Sequence, residues 1–182
     1  MEEIFIDEIS SISLSKDYLS RFYNDDIFEL SFLFKSDFNN TKHIRDVLFV
    51  ISGILGIDST WKNRFVLIVD ELNNNAIEYG TKKGGLNILR FKGKKQDGKI
   101  FINIEVEDEG NGTKSKKACD MEILRNQKTE LGFNNHNSIR GRGLFLIITK
   151  LVDKLYFKDS QKGGLIVGID KVLDYNETIQ KK

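Results

Sequence analysis

The stretch from Arg64 to Gly80, RFVLIVDELNNNAIEYG, constrains this chain more than any other. Phe65, Ile68, Leu72, Ala76 and Tyr79 recur three or four positions apart, which predicts a helix laid by one apolar stripe on a core. Glu71 and Asn75 fall four apart on another face, so their side chains lie one above the other along the axis. A carboxylate and an amide stacked in that way can hold a hydrated Mg²⁺ and a reacting hydroxyl side by side. Taken alone, the spacing is common in solvated helices, and its meaning depends on what surrounds it.

The segments on either side read as alternating strands and helices. Phe28, Leu30, Phe32 and Phe34 alternate with more polar neighbours and predict a strand over Ile27–Lys35 with one face buried. A helix follows, capped by Asn40 or Thr41, striped by Ile44, Val47, Leu48, Ile51, Ile54 and Leu55, and closed by Gly56. Asp58 or Ser59 then caps the helix that carries Glu71, and Gly80 closes it. Strands are expected over Leu86–Lys92 and Lys99–Glu107 around a G-K-K-Q-D-G turn. The hydrophobic pattern then lapses from Thr113 to Arg140, a length that points to a functional or partly helical loop. Order resumes with a helix over Leu144–Val152 and a final hairpin, Lys154–Asp159 and Gly164–Val172. This order describes an α+β fold, a two-layer α/β sandwich with helices on one face of a mixed, mostly antiparallel sheet. Three parts are expected: an extension over residues 1–25 that docks on the domain or on a partner, a domain over 26–173, and a polar tail over 174–182.

Composition narrows the function. With 28 basic and 27 acidic residues the formal net charge is +1, which gives no electrostatic footprint for nucleic acid. The single cysteine, Cys119, cannot form an internal disulfide, and neither a signal segment nor an apolar run long enough for a bilayer is evident. A cytoplasmic protein without membrane or direct nucleic-acid partners is the expectation. His43 and His136 lie far apart, so a zinc site is not expected. A dinucleotide fingerprint would need a third glycine after an early strand, and a P-loop would need G-K-[ST]; neither is present.

Two further motifs carry chemistry. In D-E-G-N-G, at the end of a strand, Asp108 can accept a hydrogen bond from an exocyclic amine, while Gly110 and Gly112 let the backbone bend beneath a flat ring. Gly141, Arg142 and Gly143 precede a helix, where free backbone N–H groups and a fixed positive charge suit a phosphate chain.

An E-x-x-x-N-A helix, D-x-G-x-G after a strand, and G-x-G-L before a late helix together resemble the GHKL ATPase superfamily and its Bergerat nucleotide-binding fold. Over residues 26 to 172 the chain looks most like the anti-sigma-factor serine/threonine kinases, with DELNNNAIEYG and GRGLFLI as the best-matching segments. The resemblance implies ATP and Mg²⁺ as cofactors. It makes Glu71 the general base, Asn75 the Mg²⁺ ligand, Asp108 the reader of the adenine amine, and Gly110 and Gly112 the turn under the base. Gly141, Arg142 and Gly143 become the lid hinge and phosphate cradle, Thr113 to Arg140 the lid, and Arg45 a contact to a partner. The implied partners are a sigma factor and its anti-sigma antagonist, a STAS-type domain with an acceptor serine; a homodimer is possible. A non-catalytic ATP-binding module that sequesters its partner is the alternative. The sequence departs from the family pattern at Tyr79, where histidine is frequent, and at Gly163-Gly164-Leu165, where Gly-Thr is usual.

Overall fold

The computed structural model describes residues 2–6, 15–131 and 148–174. Its centre is a seven-stranded sheet in the order β1-β3-β4-β5-β7-β6, with β2 paired to the outer side of β3. The strands are β1 (Glu3–Phe5), β2 (Tyr23–Asn24), β3 (Ile27–Lys35), β4 (Leu86–Gln96), β5 (Lys99–Glu107), β6 (Lys154–Asp159) and β7 (Leu165–Asp174). Only β1 runs parallel to its neighbour, β3; the other pairs are antiparallel. The helices are α1 (Lys16–Ser20), α2 (Asn40–Ile54), α3 (Ser59–Asn75) and α4 (Ala118–Leu131). The fold is therefore α+β, with a mixed, mostly antiparallel sheet layered against helices.

Alternation along each strand divides the sheet into two chemically distinct faces. Phe28, Leu30, Phe32 and Phe34 of β3 and Ile100, Ile102, Ile104 and Val106 of β5 point to the helix side and are buried. They meet Ile44, Leu48 and Ile51 of α2 and Phe65, Ile68, Val69 and Leu72 of α3 in one continuous core. The opposite face has a polar centre, flanked by Leu33, Ile88 and Ile166 on one side and by Phe101 and Val172 on the other. There Asn103 donates to the Tyr156 hydroxyl and to Asp170 Oδ1, each at 2.7 Å, and Tyr156 donates to Glu105 Oε1 at 2.8 Å. Burial, reinforced by Glu105, pushes the Tyr156 hydroxyl far above its ordinary pKa, so it stays protonated as the donor of this network.

Several boundaries differ from those the sequence suggests. The G-K-K-Q-D-G segment predicts a turn starting at Gly93, yet β4 continues to Gln96 and only Asp97 and Gly98, both at positive φ, make the turn. Gly93 serves packing: a Cβ there would come within 2.4 Å of Leu55 Cδ1, at the end of α2. Neither Asn40 nor Thr41 caps α2. Asn40 lies inside its first turn with Nδ2 donating to Lys35 O at 3.1 Å, and Thr41 Oγ1 donates to Phe38 O at 2.7 Å. Asp58 does cap α3, accepting from Trp61 N at 3.0 Å.

Near the N-terminus, β1 extends the sheet and α1 buries Leu19 completely, so these pieces pack on the sheet and helix layer. The lapse in pattern after Thr113 holds a 14-residue helix, α4, of which Ala118 and Met121 pack partly on the core. The helix expected over Leu144–Val152 is described only at its end, where residues 148–151 are helical and Ile148 and Val152 are buried.

Candidate functional site

The expected helix over Asp58–Gly80 changes character at Asn75. Beyond it, Ala76–Gly80 forms a π-helical turn in which Thr81 N donates to Ala76 O at 2.8 Å, five residues back. Ser36 Oγ, at the end of β3, holds the turn by donating to Thr81 O at 3.0 Å and lying 3.3 Å from Ile77 O. The wider turn carries Tyr79 and Gly80 to the end of β5, where Asp108 begins the D-E-G-N-G loop. Gly112 N donates to Gly80 O at 3.0 Å, so the loop is stapled to the helix end.

Glu71 and Asn75 keep the predicted stacking: Asn75 Nδ2 is 3.4 Å from Glu71 Oε1. With Nδ2 directed at the carboxylate, the amide Oδ1 is the atom left for a cation. Asp108 stands on the far side of the same cavity, only 8% exposed. Its Oδ1 accepts from Gly110 N at 2.8 Å and from Leu165 N at 3.0 Å. Oδ2 has no donor among the described residues and faces the cavity. Burial raises the Asp108 carboxyl above its ordinary pKa, against the pull of the two backbone donors.

The cavity measures about 320 Å³. Glu71, Asn75, Tyr79 and Gly80 form one wall, and Val106, Asp108, Leu165, Val167 and Phe157 form the sheet side. The end of the helix, the loop and the last hairpin approach so closely that side chains are excluded. A Cβ at Gly80 would fall 2.2 Å from Asp108 Oδ2, one at Gly112 2.2 Å from Tyr79 O, and one at Gly164 1.8 Å from Asp108 O. Gly110 adds a positive φ of 67°. The Gly163-Gly164-Leu165 departure thus has a structural role. Gly164 permits the hairpin to reach the Asp108 backbone, and Leu165 supplies an N–H to the carboxylate.

Sequence reasoning missed the supports of this loop. Thr81 Oγ1 donates to Asn87 Oδ1 at 2.7 Å and accepts from Glu109 N at 2.9 Å, while Glu109 Oε1 accepts from Leu86 N at 3.0 Å. On the polar sheet face, Glu107 accepts from Ser160 Oγ and from Arg90 Nη2. Burial alone would raise the Glu107 carboxyl, but these two donors hold it below the ordinary range. The only cue was the polarity of strand-end residues, which turn chemistry alone explains equally well.

The other predicted residues lie apart. Arg45, on α2, pairs with Asp70 of α3, its Nε 2.7 Å from Oδ1, and does not line the cavity. Gly141, Arg142 and Gly143 fall outside the described residues, as do residues 132–140 of the expected lid. From 118 to 131 that segment is α4. Arg125 Nη1 ties it to Leu155 O of β6 at 2.9 Å, and Ala118 N donates to Asp159 Oδ1 at 2.9 Å.

The site fits an adenine nucleotide. A cavity walled by Val106, Leu165 and Val167 carries at Asp108 a carboxylate oxygen, Oδ2, with no donor among the described residues, which suits an aromatic base that presents an amine. Among the described residues, no group of three or more His, Cys, Asp or Glu is placed to hold a metal, and no helix is long and apolar enough to cross a membrane.

A sheet backed by helices, with the ligand slot between one helix and the strand ends, defines an ATPase fold of the GHKL type. Residues 34–170 match the histidine kinase-like ATPase domain, and the chain belongs to that family. It therefore carries an ATP-binding domain of the GHKL superfamily. No curated protein matches the chain.

Proposed function

We propose that the protein is a Mg²⁺-dependent serine/threonine kinase acting as an anti-sigma factor by partner switching: it binds a sigma factor and phosphorylates a serine on the STAS-type antagonist. The observation that supports transfer over simple binding is the Glu71–Asn75 pair at the mouth of the adenine slot, 3.4 Å apart. One carboxylate and one amide at that distance suit a proton acceptor beside a metal ligand.

In this reading Asp108 Oδ2 accepts from the adenine amine, and the slot walls enclose the base. Asn75 Oδ1 would hold a Mg²⁺ bound with the nucleotide, an ion that usually takes few protein ligands and that would supply charge neutralisation to the phosphates. The acceptor serine's Oγ forms a bond to the γ-phosphorus, its proton passes to Glu71, the bond to the β,γ-bridging oxygen breaks, and ADP leaves. Arg45 belongs to the surface offered to the sigma factor, its exposed guanidinium held in place through the Nε contact to Asp70.

The test combines purified protein, labelled ATP with Mg²⁺, a small antagonist with an acceptor serine, and a sigma factor. Glu71→Gln should retain ATP and sigma binding and slow transfer by about 10² to 10⁴-fold, the usual contribution of a positioned base. Asn75→Ala should lose metal-dependent nucleotide affinity together with turnover. Wild-type protein that binds ATP and a sigma factor yet transfers phosphate to no acceptor would make the domain a sequestering module instead.

A further inference from the structure

We propose that Lys114 and Lys116 bind the phosphate chain of the nucleotide, forming a cationic rim on the segment that leaves the adenine loop. The assignment rests on the ATP reading of the cavity and adds two residues to it.

The segment reads Thr113-Lys114-Ser115-Lys116-Lys117. Its place is set by two main-chain contacts to the helix end: Gly112 N to Gly80 O at 3.0 Å, and Lys114 N to Tyr79 O at 3.4 Å. The close pass of Gly112 over Tyr79 O makes this approach possible. Lys114 and Lys116 consequently line the same cavity as Glu71, Asn75 and Asp108.

Charge gives them a role. The described cavity wall contains two carboxylates, Glu71 and Asp108, and its described cations are Lys114 and Lys116. A polyphosphate entering past two carboxylates needs positive charge beyond that of one divalent ion. The three lysines differ in commitment. Lys117 is held elsewhere, its Nζ donating to Gly163 O at 3.0 Å. Lys114 Nζ rests 5.9 Å from the centroid of the Tyr79 ring, at the outer limit of a cation–π contact, and is readily surrendered to a phosphate oxygen. Lys116 is exposed, with no ion pair or hydrogen bond among the described residues. Tyr79 stands in the π-helical turn that directly follows Asn75, so an ammonium parked on its ring waits on the same stretch of chain as the proposed metal ligand. Lysine suits the task because a compact charge on a flexible stem can follow a phosphate chain as it bends.

The experiment compares adenosine, ADP and ATP with Mg²⁺ by calorimetry on wild type, Lys114→Gln, Lys116→Gln, the double variant, and Lys92→Gln on the polar sheet face as control. Adenosine affinity should be the same throughout. Each single substitution should weaken ATP roughly tenfold and the double roughly 10²-fold, as expected for charge-assisted phosphate contacts. The double variant should also show a shallower loss of ATP affinity with salt. An ATP-to-adenosine affinity ratio unchanged in the double variant would overturn the rim while leaving the ATP reading standing. A wild type that binds neither adenosine nor ATP would remove that reading, and the rim with it.

Discussion

Asp108 concentrates the recognition chemistry of the cavity in one oxygen. Asp108→Asn keeps Oδ1 as acceptor for Gly110 N and Leu165 N but replaces Oδ2 by a donor, so the fold should persist. ATP affinity should fall by about 1.5 to 3 kcal/mol, the range for a hydrogen bond to an ionised group, as read by calorimetry. The pH dependence has a definite sign. Because burial raises this carboxyl in the folded state, the ionised form needed by the amine is lost, on acidification, at a higher pH than for an ordinary aspartate near 3.9. Nucleotide affinity should therefore drop as pH falls through the raised value, and Asp108→Asn should abolish that step. The same shift acts on stability in the opposite sense: the folded state holds this proton more tightly, so its contribution is full below the unfolded pKa and is lost as pH rises through the folded one. Residues that hold the loop, Thr81 and Ser160 among them, were not legible in the sequence. A hydroxyl's partner is fixed by strands 6 and 53 positions away, and no local pattern records it.

At the level of elements, legibility followed periodicity. Strands β3 and β5 announce themselves by apolar alternation, while β6 and β7 were read as a hairpin from the turn signal between them. The extra length of β4 did not, because Gly93 carries the same letter whether it turns the chain or clears space for Leu55. The π-helical turn was equally silent: its apolar spacing at Ala76 and Tyr79 matches an ordinary helix, and the widening comes from Ser36 and the stapled loop. Helix α4 was hidden by its weak apolar stripe, with Ile123 56% exposed. Its attachment to β6 is testable. Arg125→Ala removes the bond to Leu155 O and should speed amide exchange within α4 while leaving global unfolding nearly unchanged, since the helix contributes little to the core. Exchange in α4 equal to wild type would show that Arg125 does not anchor it.

For the whole molecule, one core on one side of one sheet implies cooperative unfolding. Phe91 of β4 is fully buried and meets Phe28 edge-on with ring centroids 5.9 Å apart. Phe91→Ala should cost about 3 to 5 kcal/mol, measured by denaturant unfolding, through lost burial and the cavity left behind. The polar face should be less demanding: Tyr156→Phe removes two hydrogen bonds at 2.7 and 2.8 Å but keeps the ring over Gly168, for a loss of about 1 to 3 kcal/mol. The fold class was readable because this two-sidedness repeats in strand after strand.

The close approach of three chain segments around Asp108 also sets how the site can vary. Gly80, Gly112 and Gly164 come from a helix end, a loop and a hairpin, and each has backbone or carboxylate atoms within 2.2 Å of where a methyl group would sit. An adaptive change at any one of them would require its two neighbours to recede together, so single-step paths through sequence space are closed there. Charged positions around the rim face water and can be exchanged one at a time. In a comprehensive substitution library selected for ATP binding, the sharpest boundary between tolerated and rejected replacements should therefore trace these three glycines, outlining the Asp108 corner of the site by the residues that have no side chain.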